Sequence, residues 1–326
     1  MSQLYDTRSA MTPIPSRRSF LSMAAAAWAE AKPMRGAFII MATPFTGSKE
    51  LDYEDLAKEV DFLERCGVHG MVWPQMASEY AQLTKPERLR GMEVLAKAAR
   101  GRKPALVLGI QGAGVGEALE YARRAEELGP EGVIAMPPRE AKSLDDYREY
   151  YRALARVCRR PFFIQTTGGA KGVVPSVEFL VELAGEFPHL GYVKEETSPV
   201  IERMQALARR RPAIKAVFSG NAGRGMLYEM RLGLDGTMPG APYAKMYAQI
   251  WDLYQAGKRE QARELFSKLL LMINLEGEIP GMRRYVLKKR GVFKTTVSRQ
   301  QEVSYSAEAA REIDFNFEGL RPYLRA

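Results

Sequence analysis

The chain contains little of what metal centres and disulfide frameworks require. Its 326 residues include two cysteines, Cys66 and Cys158, and two histidines, His69 and His189. Each cysteine comes late in a predicted helix and far from the other in sequence, which argues against a disulfide and against a thiolate metal site. Two histidines that each precede a predicted strand do not make a His-rich centre. We therefore expect chemistry that uses neither a metal ion nor a cofactor.

Long apolar runs are also missing. No stretch reaches the roughly 18 consecutive apolar residues of a membrane-spanning helix, so no membrane span is predicted. Lys and Arg number 48 against 39 Asp and Glu, which gives a net charge of +9. A basic surface can bind nucleic acid, but no nucleic-acid motif accompanies these charges. We expect a basic, solvated surface and no nucleic-acid partner.

The first thirty residues differ from the rest of the chain. Ser16-Arg17-Arg18-Ser19-Phe20 is typical of a twin-arginine export signal, and a short apolar run and Ala29-Glu30-Ala31, a small-x-small cleavage pattern, follow it. This order of basic, apolar and cleavable segments predicts export of the folded protein to the periplasm or beyond. A basic leader on a cytoplasmic protein is the alternative. Residues 1–31 are therefore set apart from the predicted fold.

From Gly36 onward, short apolar runs alternate with amphipathic segments of helix length. The runs are rich in Val, Ile, Phe and Met and lack a period of two, which is typical of strands buried on both faces. Eight strand–helix units in just over 200 residues predict a (β/α)₈ barrel, or TIM barrel, over residues 32–240. Residues 241–326 are expected to add the last barrel helix and a helical extension. The eight runs are Ala37–Ala42, Gly70–Pro74, Ala105–Ile110, Gly132–Met136, Phe162–Gln165, Gly191–Lys194, Ile214–Phe218 and Gly236–Met238.

The predicted active site lies at the carboxyl ends of these strands, where such barrels carry their chemistry. Lys194 ends the sixth run and should point into the barrel mouth. Burial favours the neutral form of an amine, and a neutral amine is the nucleophile that condenses with a ketone. A lysine paired with Glu195 or Glu196 at the strand end is the alternative. The other strand ends supply Gln75–Glu79, Arg139, Gln165-Thr166-Thr167 and Met238 among their polar and lining residues.

Several of these segments resemble the dihydrodipicolinate synthase / N-acetylneuraminate lyase family of class I aldolases, from Met34 to about Arg290. The opening segment from Gly36 to Ala42-Thr43-Pro44-Phe45 is similar to that family's first strand, and Gly191-Tyr192-Val193-Lys194-Glu195 is similar to its Schiff-base lysine strand. Phe218-Ser219-Gly220-Asn221 resembles its seventh strand. The resemblance implies a Schiff base between Lys194 and a pyruvate-like 2-oxo acid, in a homo-dimer or homo-tetramer.

The chain departs from the family pattern at the partners of the lysine. Gly-Thr-Thr-Gly-Glu, which the family carries after its second strand, is matched by Gln75-Met76-Ala77-Ser78-Glu79, so that Met76 and Ala77 replace both hydroxyls. The acid/base tyrosine that ends strand five is matched by Gln165, and an amide does not shuttle protons near neutral pH. The arginine that holds a second carboxylate is matched by Ala170. True dihydrodipicolinate synthesis is therefore not expected.

Replacement groups are available nearby. Thr166 or Thr167 offers a hydroxyl, Tyr80 a phenol, and Arg139 or Lys171 a cation for a carboxylate. We predict a catalytic pair of Lys194 and Gln165. The predicted substrate-binding residues are Met76, Ala77, Glu79, Thr166, Thr167, Arg139 and Met238.

Two functions remain open from the sequence. The first is a Schiff-base lyase or aldolase that acts next to a 2-oxo acid, with sugar-acid dehydration as a close variant because the same enamine serves both. The second is a barrel that has lost turnover and binds a small 2-oxo acid. Trapping of an adduct on Lys194 would favour the first, and tight binding without an adduct would favour the second.

Overall fold

The computed structural model describes residues 32–324, so the predicted export signal at residues 1–31 lies outside the described residues. Eight parallel strands form a closed barrel in which each strand pairs with the next and the eighth pairs with the first. This confirms the predicted (β/α)₈ barrel. The strands are β1 (Gly36–Ile40), β2 (Gly70–Trp73), β3 (Ala105–Gly109), β4 (Gly132–Ala135), β5 (Phe162–Gln165), β6 (Tyr192–Glu195), β7 (Ala216–Ser219) and β8 (Gly236–Thr237).

One helix follows each strand, and further helices extend the carboxyl end of the chain. The barrel helices are α1 (Tyr53–Arg65), α2 (Lys85–Ala99), α3 (Val115–Leu128), α4 (Leu144–Val157), α5 (Val177–Glu186), α6 (Val200–Ala208), α7 (Met226–Arg231) and α8 (Ala244–Gln255). The extension consists of α9 (Arg259–Glu278), α10 (Met282–Lys289) and α11 (Ala307–Leu324). Short 3₁₀ turns lie at Met76–Ser78, Tyr80–Gln82, Pro188–Leu190 and Ala241–Tyr243.

The predicted strands extended one or two residues too far at the carboxyl ends of β1 to β4. The apolar character of the sequence continues past each strand end, for example into Met41 and Ile110, whereas the strands end earlier. These residues are buried at the start of the loops that form the barrel mouth. Burial alone therefore does not mark where a strand gives way to a loop.

Side-chain caps begin several of the barrel helices. Asp52 accepts hydrogen bonds from the backbone N–H groups of Glu54 and Asp55 at the start of α1, both at 3.1 Å. Thr84 and Glu87 form a reciprocal capping box at the start of α2. Such caps satisfy N–H groups that have no partner within the helix, and each contributes about 1 kcal/mol.

Apolar side chains pack on both sides of the barrel wall. A large outer core lies between strands and helices, and a smaller cluster fills the barrel interior. Phe38, Phe163 and Phe218 meet inside the barrel, with ring centroids 5.0 Å apart for the Phe38–Phe218 and Phe163–Phe218 pairs in edge-to-face geometry. Alternation along β5 and β6 then directs Gln165 and Lys194, each two residues beyond an inward aromatic residue, to the same side.

The chain between α10 and α11 returns to the loops that follow β1 and β2. Lys294 forms an ion pair of 2.9 Å with Asp52, and Thr295 donates a hydrogen bond to the carbonyl of Phe45. Arg299 contacts Glu87 at 2.6 Å. This segment, residues 290–306, is called the return segment below. It fixes the carboxyl-terminal extension over one side of the barrel mouth.

Within residues 32–324, no helix is long and apolar enough to cross a lipid bilayer. Cys66 and Cys158 are both buried and free. Burial raises the pKa of both thiols, that of Cys158 to about 12. Neither thiol is therefore a ready thiolate.

Candidate active site

A cavity of about 440 Å³ opens at the carboxyl ends of the strands. Several of the predicted residues come together there. Other parts of the cavity wall come from residues 220–222 after β7 and from Arg283 of α10. The cavity wall includes Met76, Ala77, Thr167, Lys194, Glu196 and Met238.

Lys194 lies at the inner end of this cavity, on β6. Its side chain is only 2% exposed. The strand register places Gln165 of β5 directly beside it, and the Nζ group donates a hydrogen bond of 3.2 Å to Gln165 Oε1. The structure thus brings the two predicted catalytic residues into contact.

Glu196 completes a polar cluster around Lys194. From the sequence it was expected only as an alternative ion-pair partner of Lys194, and the structure contains that ion pair. Its Oε1 lies 3.0 Å from Lys194 Nζ. Its Oε2 accepts a hydrogen bond of 3.1 Å from the Gln165 amide and another from the Thr167 hydroxyl. Glu196 is the first residue after β6, and extending the two-residue alternation of the strand from Lys194 predicts that its side chain lies on the same side. The cluster of Lys194, Gln165, Glu196 and Thr167 is called the lysine cluster below.

Glu195, which lies between Lys194 and Glu196 in the sequence, points to the outer side of the strands and belongs to a separate hydrogen-bond network. It is fully buried, pairs with Arg203 of α6 at 3.0 Å and accepts a hydrogen bond from the backbone N–H of Thr197. The hydroxyl of Thr166 donates to it at 2.6 Å. The structure thus places Thr166 against the outer side of the strands, so its predicted role in substrate binding has no support from its contacts.

Glu79 is anchored to the carboxyl-terminal part of the chain. Its carboxylate pairs with Arg284 and accepts hydrogen bonds from Ser298 Oγ at 2.8 Å and from the backbone N–H groups of Arg299 and Gln300 at 2.9 and 3.0 Å. Its backbone is left-handed, with a φ of 56°, a conformation that a non-glycine residue keeps only when its surroundings hold it. These contacts join the β2 loop to the return segment, and the predicted substrate-binding role stays a prediction.

The remaining predicted residues divide between the cavity and the surface. Met76, Ala77 and Met238 line the cavity, and the Gln165 amide lies 3.6 Å from the Met76 sulfur. Arg139 is exposed, with its guanidinium 5.5 Å from the ring centroid of Tyr80. It is not among the residues that line the cavity.

Arg283 is a second cavity residue that sequence reasoning missed. It comes from α10, and its Nε donates a hydrogen bond of 2.8 Å to Glu276 of α9. Burial raises the pKa of the Glu276 carboxyl, and the guanidinium of Arg283 opposes that shift. No local pattern marked this arginine, because its position depends on how the extension folds back over the barrel.

Metal-binding side chains do not gather anywhere in the described part of the chain. Over residues 32–324, no group of three or more His, Cys, Asp or Glu side chains is arranged to hold a metal ion. The lysine cluster offers one amine, one amide, one carboxylate and one hydroxyl. This is a set of groups suited to covalent catalysis through the amine and to proton transfer through the carboxylate.

The sequence model of the dihydrodipicolinate synthetase family matches residues 33–314. The chain belongs to this family. Its members include lyases and dehydratases, which makes the protein an enzyme of lyase or aldolase type.

Relatives in the dihydrodipicolinate synthetase family differ in their reactions. The chain is 27% identical over 304 residues to a 4-hydroxy-tetrahydrodipicolinate synthase of Chlorobium luteolum, a match that covers 89% of this chain and 98% of the relative. It is 25% identical over 253 residues to an L-2-keto-3-deoxyarabonate dehydratase of Azospirillum brasilense, covering 76% and 81%. The dihydrodipicolinate synthase of Aquifex aeolicus shares its fold, with a TM-score of 0.80, 21% identity, and coverage of 90% of this chain and 100% of that one.

Proposed function

We propose that the protein is a Schiff-base lyase that acts on a 2-oxo acid or 2-oxo sugar acid, with Lys194 as the nucleophile and Glu196 as the acid/base group. The observation that carries this proposal is the contact of 3.0 Å between Lys194 Nζ and Glu196 Oε1 inside the cavity. A proton moved from the ammonium to the carboxylate leaves an amine that can attack a carbonyl carbon.

The first steps follow from this arrangement. The Nζ lone pair adds to C2 of the 2-oxo acid, and loss of water gives a protonated imine. C3 is then the atom bonded to the imine carbon, so a carboxylate that touches Nζ can also reach the proton on C3. Transfer of that proton to Glu196 moves the C3–H electron pair toward nitrogen and produces an enamine.

Two outcomes are possible from the enamine chemistry. In a dehydration, the enamine expels the C4 hydroxyl group, which leaves as water after protonation. A carbon–carbon cleavage starts instead from the imine with its C3 proton still in place. Glu196 takes the proton of the C4 hydroxyl group, the C3–C4 bond breaks to release an aldehyde and leave the enamine, and protonated Glu196 returns its proton to C3. Addition of water to the imine releases Lys194 in both cases. Similarity to a sugar-acid dehydratase supports the first outcome.

The residues around Glu196 support an acid/base role without a tyrosine. Gln165 and Thr167 donate hydrogen bonds to one carboxylate oxygen, which leaves the other directed to Lys194. The side chain of Glu196 is 20% exposed, in contrast to the almost fully buried lysine. The amide at position 165 therefore orients the carboxylate, and the carboxylate carries the proton.

Borohydride trapping tests this proposal. Incubation with pyruvate and borohydride should attach the reduced adduct to Lys194, located by peptide mass analysis, and should leave the exposed Lys171 unmodified. Lys194→Arg should abolish the adduct, whereas Lys171→Arg should not change it. Protection of Lys194 against a panel of 2-oxo acids would contradict the proposal. Tight binding without any adduct would favour a 2-oxo acid binding protein.

Export and self-association stay predictions of their own. If residues 1–31 form a twin-arginine signal, the protein recovered from the periplasm should begin near residue 32, and Arg17→Lys with Arg18→Lys should keep it in the cytoplasm. A homo-dimer or homo-tetramer should show its mass in light scattering. An intact Met1 on cytoplasmic protein would contradict the first prediction.

A further inference from the structure

The cavity extends beyond what a three-carbon acid bound at Lys194 would occupy. A second cavity of about 320 Å³ lies alongside the first, and the two have Ile40, Ala77, Gly240 and Arg283 in common as wall residues. Arg283 therefore stands where the two spaces meet. More than half of the wall of the second space comes from residues 276–301, which include parts of α9, α10 and the return segment.

Cations with free donors surround the second cavity. Arg283 uses its Nε group for Glu276, and within residues 32–324 its two Nη groups donate no hydrogen bond. Arg284 is 7% exposed, and its buried Nη1 has no partner in the described structure. Arg224, after β7, is exposed at the wall of the same cavity. A buried guanidinium donor without a partner, such as Arg284 Nη1, is costly. The Arg283 side chain is 39% exposed, so its Nη groups are accessible to an anion in the cavity.

The neighbouring groups fit the same kind of ligand. Glu79 and Glu276, the acidic residues of this wall, are already engaged by Arg284 and Arg283. Ser298, Gln300 and Gln301 of the return segment add a hydroxyl and two amides to the wall. The second cavity thus offers guanidinium and neutral polar groups, a combination that suits a carboxylate at the end of a polar chain.

We propose that Arg283 binds a second carboxylate, at the far end of a 2-oxo dicarboxylic acid whose ketone lies at Lys194. This inference rests on the proposed function, because the ketone must reach the lysine cluster. The two ends of the ligand would be held by different parts of the chain, the ketone by β6 of the barrel and the distal carboxylate by α10 of the extension.

Length-matched acids test this inference. Half-saturation concentrations for borohydride trapping are measured with 2-oxoglutarate and 2-oxoadipate and with their monocarboxylate counterparts, 2-oxopentanoate and 2-oxohexanoate. The wild-type protein should prefer at least one dicarboxylate over its counterpart by about tenfold, as expected for a charge-assisted hydrogen bond. Arg283→Gln should remove this preference.

Lys288→Gln is the matched control, because it removes the same charge from an exposed position of α10. It should keep the preference for dicarboxylates. An equal preference in the wild type and in Arg283→Gln would overturn the inference, as would equal trapping of dicarboxylates and monocarboxylates by the wild type.

A separate measurement distinguishes failure of the proposed function from failure of this inference. If no 2-oxo acid is trapped on Lys194, titration calorimetry with glutarate and adipate, which carry no ketone, still probes the distal group. Binding that Arg283→Gln weakens and Lys288→Gln does not would support the carboxylate site. Absence of binding, or binding that is insensitive to Arg283→Gln, would overturn it.

Discussion

Glu195 and Glu196 are consecutive carboxylates with opposite surroundings. Glu195 faces outward, has no exposed surface and is held by Arg203, Thr166 and Thr197. Glu196 faces the cavity and contacts Lys194, Gln165 and Thr167. At the end of β6, one step along the chain thus separates a carboxylate held in the barrel wall from one that faces the cavity.

The two carboxylates differ in whether a ligand in the cavity could replace their hydrogen-bond partners. None of the partners of Glu195 lines the cavity, so a ligand bound there would not replace them. Glu196 contacts an amine that a substrate would consume, and its side chain retains access to the cavity. A polar group with fixed partners contributes to stability, whereas one with exchangeable partners is available for chemistry.

The largest expected effect comes from Glu196→Gln. The variant should form the pyruvate adduct on Lys194 more slowly, because the proposed acceptor of the ammonium proton is lost. The exchange of the C3 protons of pyruvate for deuterium should slow by about 10²–10⁴-fold, because the acceptor of the C3 proton is lost as well. Proton NMR in D₂O measures this rate. Glu202→Gln, at an exposed position of α6, is the matched control. Exchange at the wild-type rate in Glu196→Gln would place the acid/base role elsewhere.

The outward carboxylate should respond in the opposite way. Glu195→Gln leaves the Arg203 cation without its buried partner and should lower the free energy of unfolding by about 3 kcal/mol. Urea denaturation measures this change. The deuterium exchange rate per folded molecule should stay close to that of the wild type. If Glu195→Gln slowed the exchange as much as Glu196→Gln and left the stability unchanged, the distinction between the two carboxylates would be wrong.

The smallest effect concerns Glu59 of α1, a carboxyl group whose burial raises its pKa well above 4.5, against the opposing hydrogen bond from Ala42 N–H. Because the pKa is raised on folding, the protonated form favours the folded state. This contribution is complete below the unfolded pKa and is lost as the pH rises through the folded value.

Glu59→Gln removes this pH dependence. The stability of the variant relative to the wild type should therefore increase as the pH rises from about 4.5 toward the folded pKa, measured by urea denaturation at a series of pH values. A constant difference across that range would mean that the group titrates alike in the folded and unfolded states.

The sequence predicted the barrel and the position of Lys194 because both depend on local patterns. Buried strand runs alternate with helices, and a lysine that ends such a run must lie at the barrel mouth. The position of Glu196 could have been predicted from the sequence by extending the alternation of β6 two residues beyond Lys194. The family pattern instead pointed to Gln165, which replaces the tyrosine, and left Glu196 as an alternative ion-pair partner of Lys194.

Other parts of the site had no local signal. The pairing of Glu79 with Arg284 joins residues 205 positions apart, and the place of Arg283 in the cavity wall depends on the same long-range folding. Thr166 and Thr167 carry adjacent hydroxyl groups, and the sequence alone does not distinguish which of them faces the cavity. Only the strand geometry assigns Thr166 to Glu195 and Thr167 to Glu196.

The anchoring of Glu79 has a consequence for synthesis of the chain. Its partners, from Arg284 to Gln300, are made more than 200 residues later. When all eight strands have emerged from the ribosome, the return segment, which covers one side of the barrel mouth, has not yet emerged. Contacts between residues so far apart in sequence form slowly, so we expect a nascent barrel to pass through a stage in which Lys194, the proposed nucleophile, is in place and the wall formed by the return segment is not.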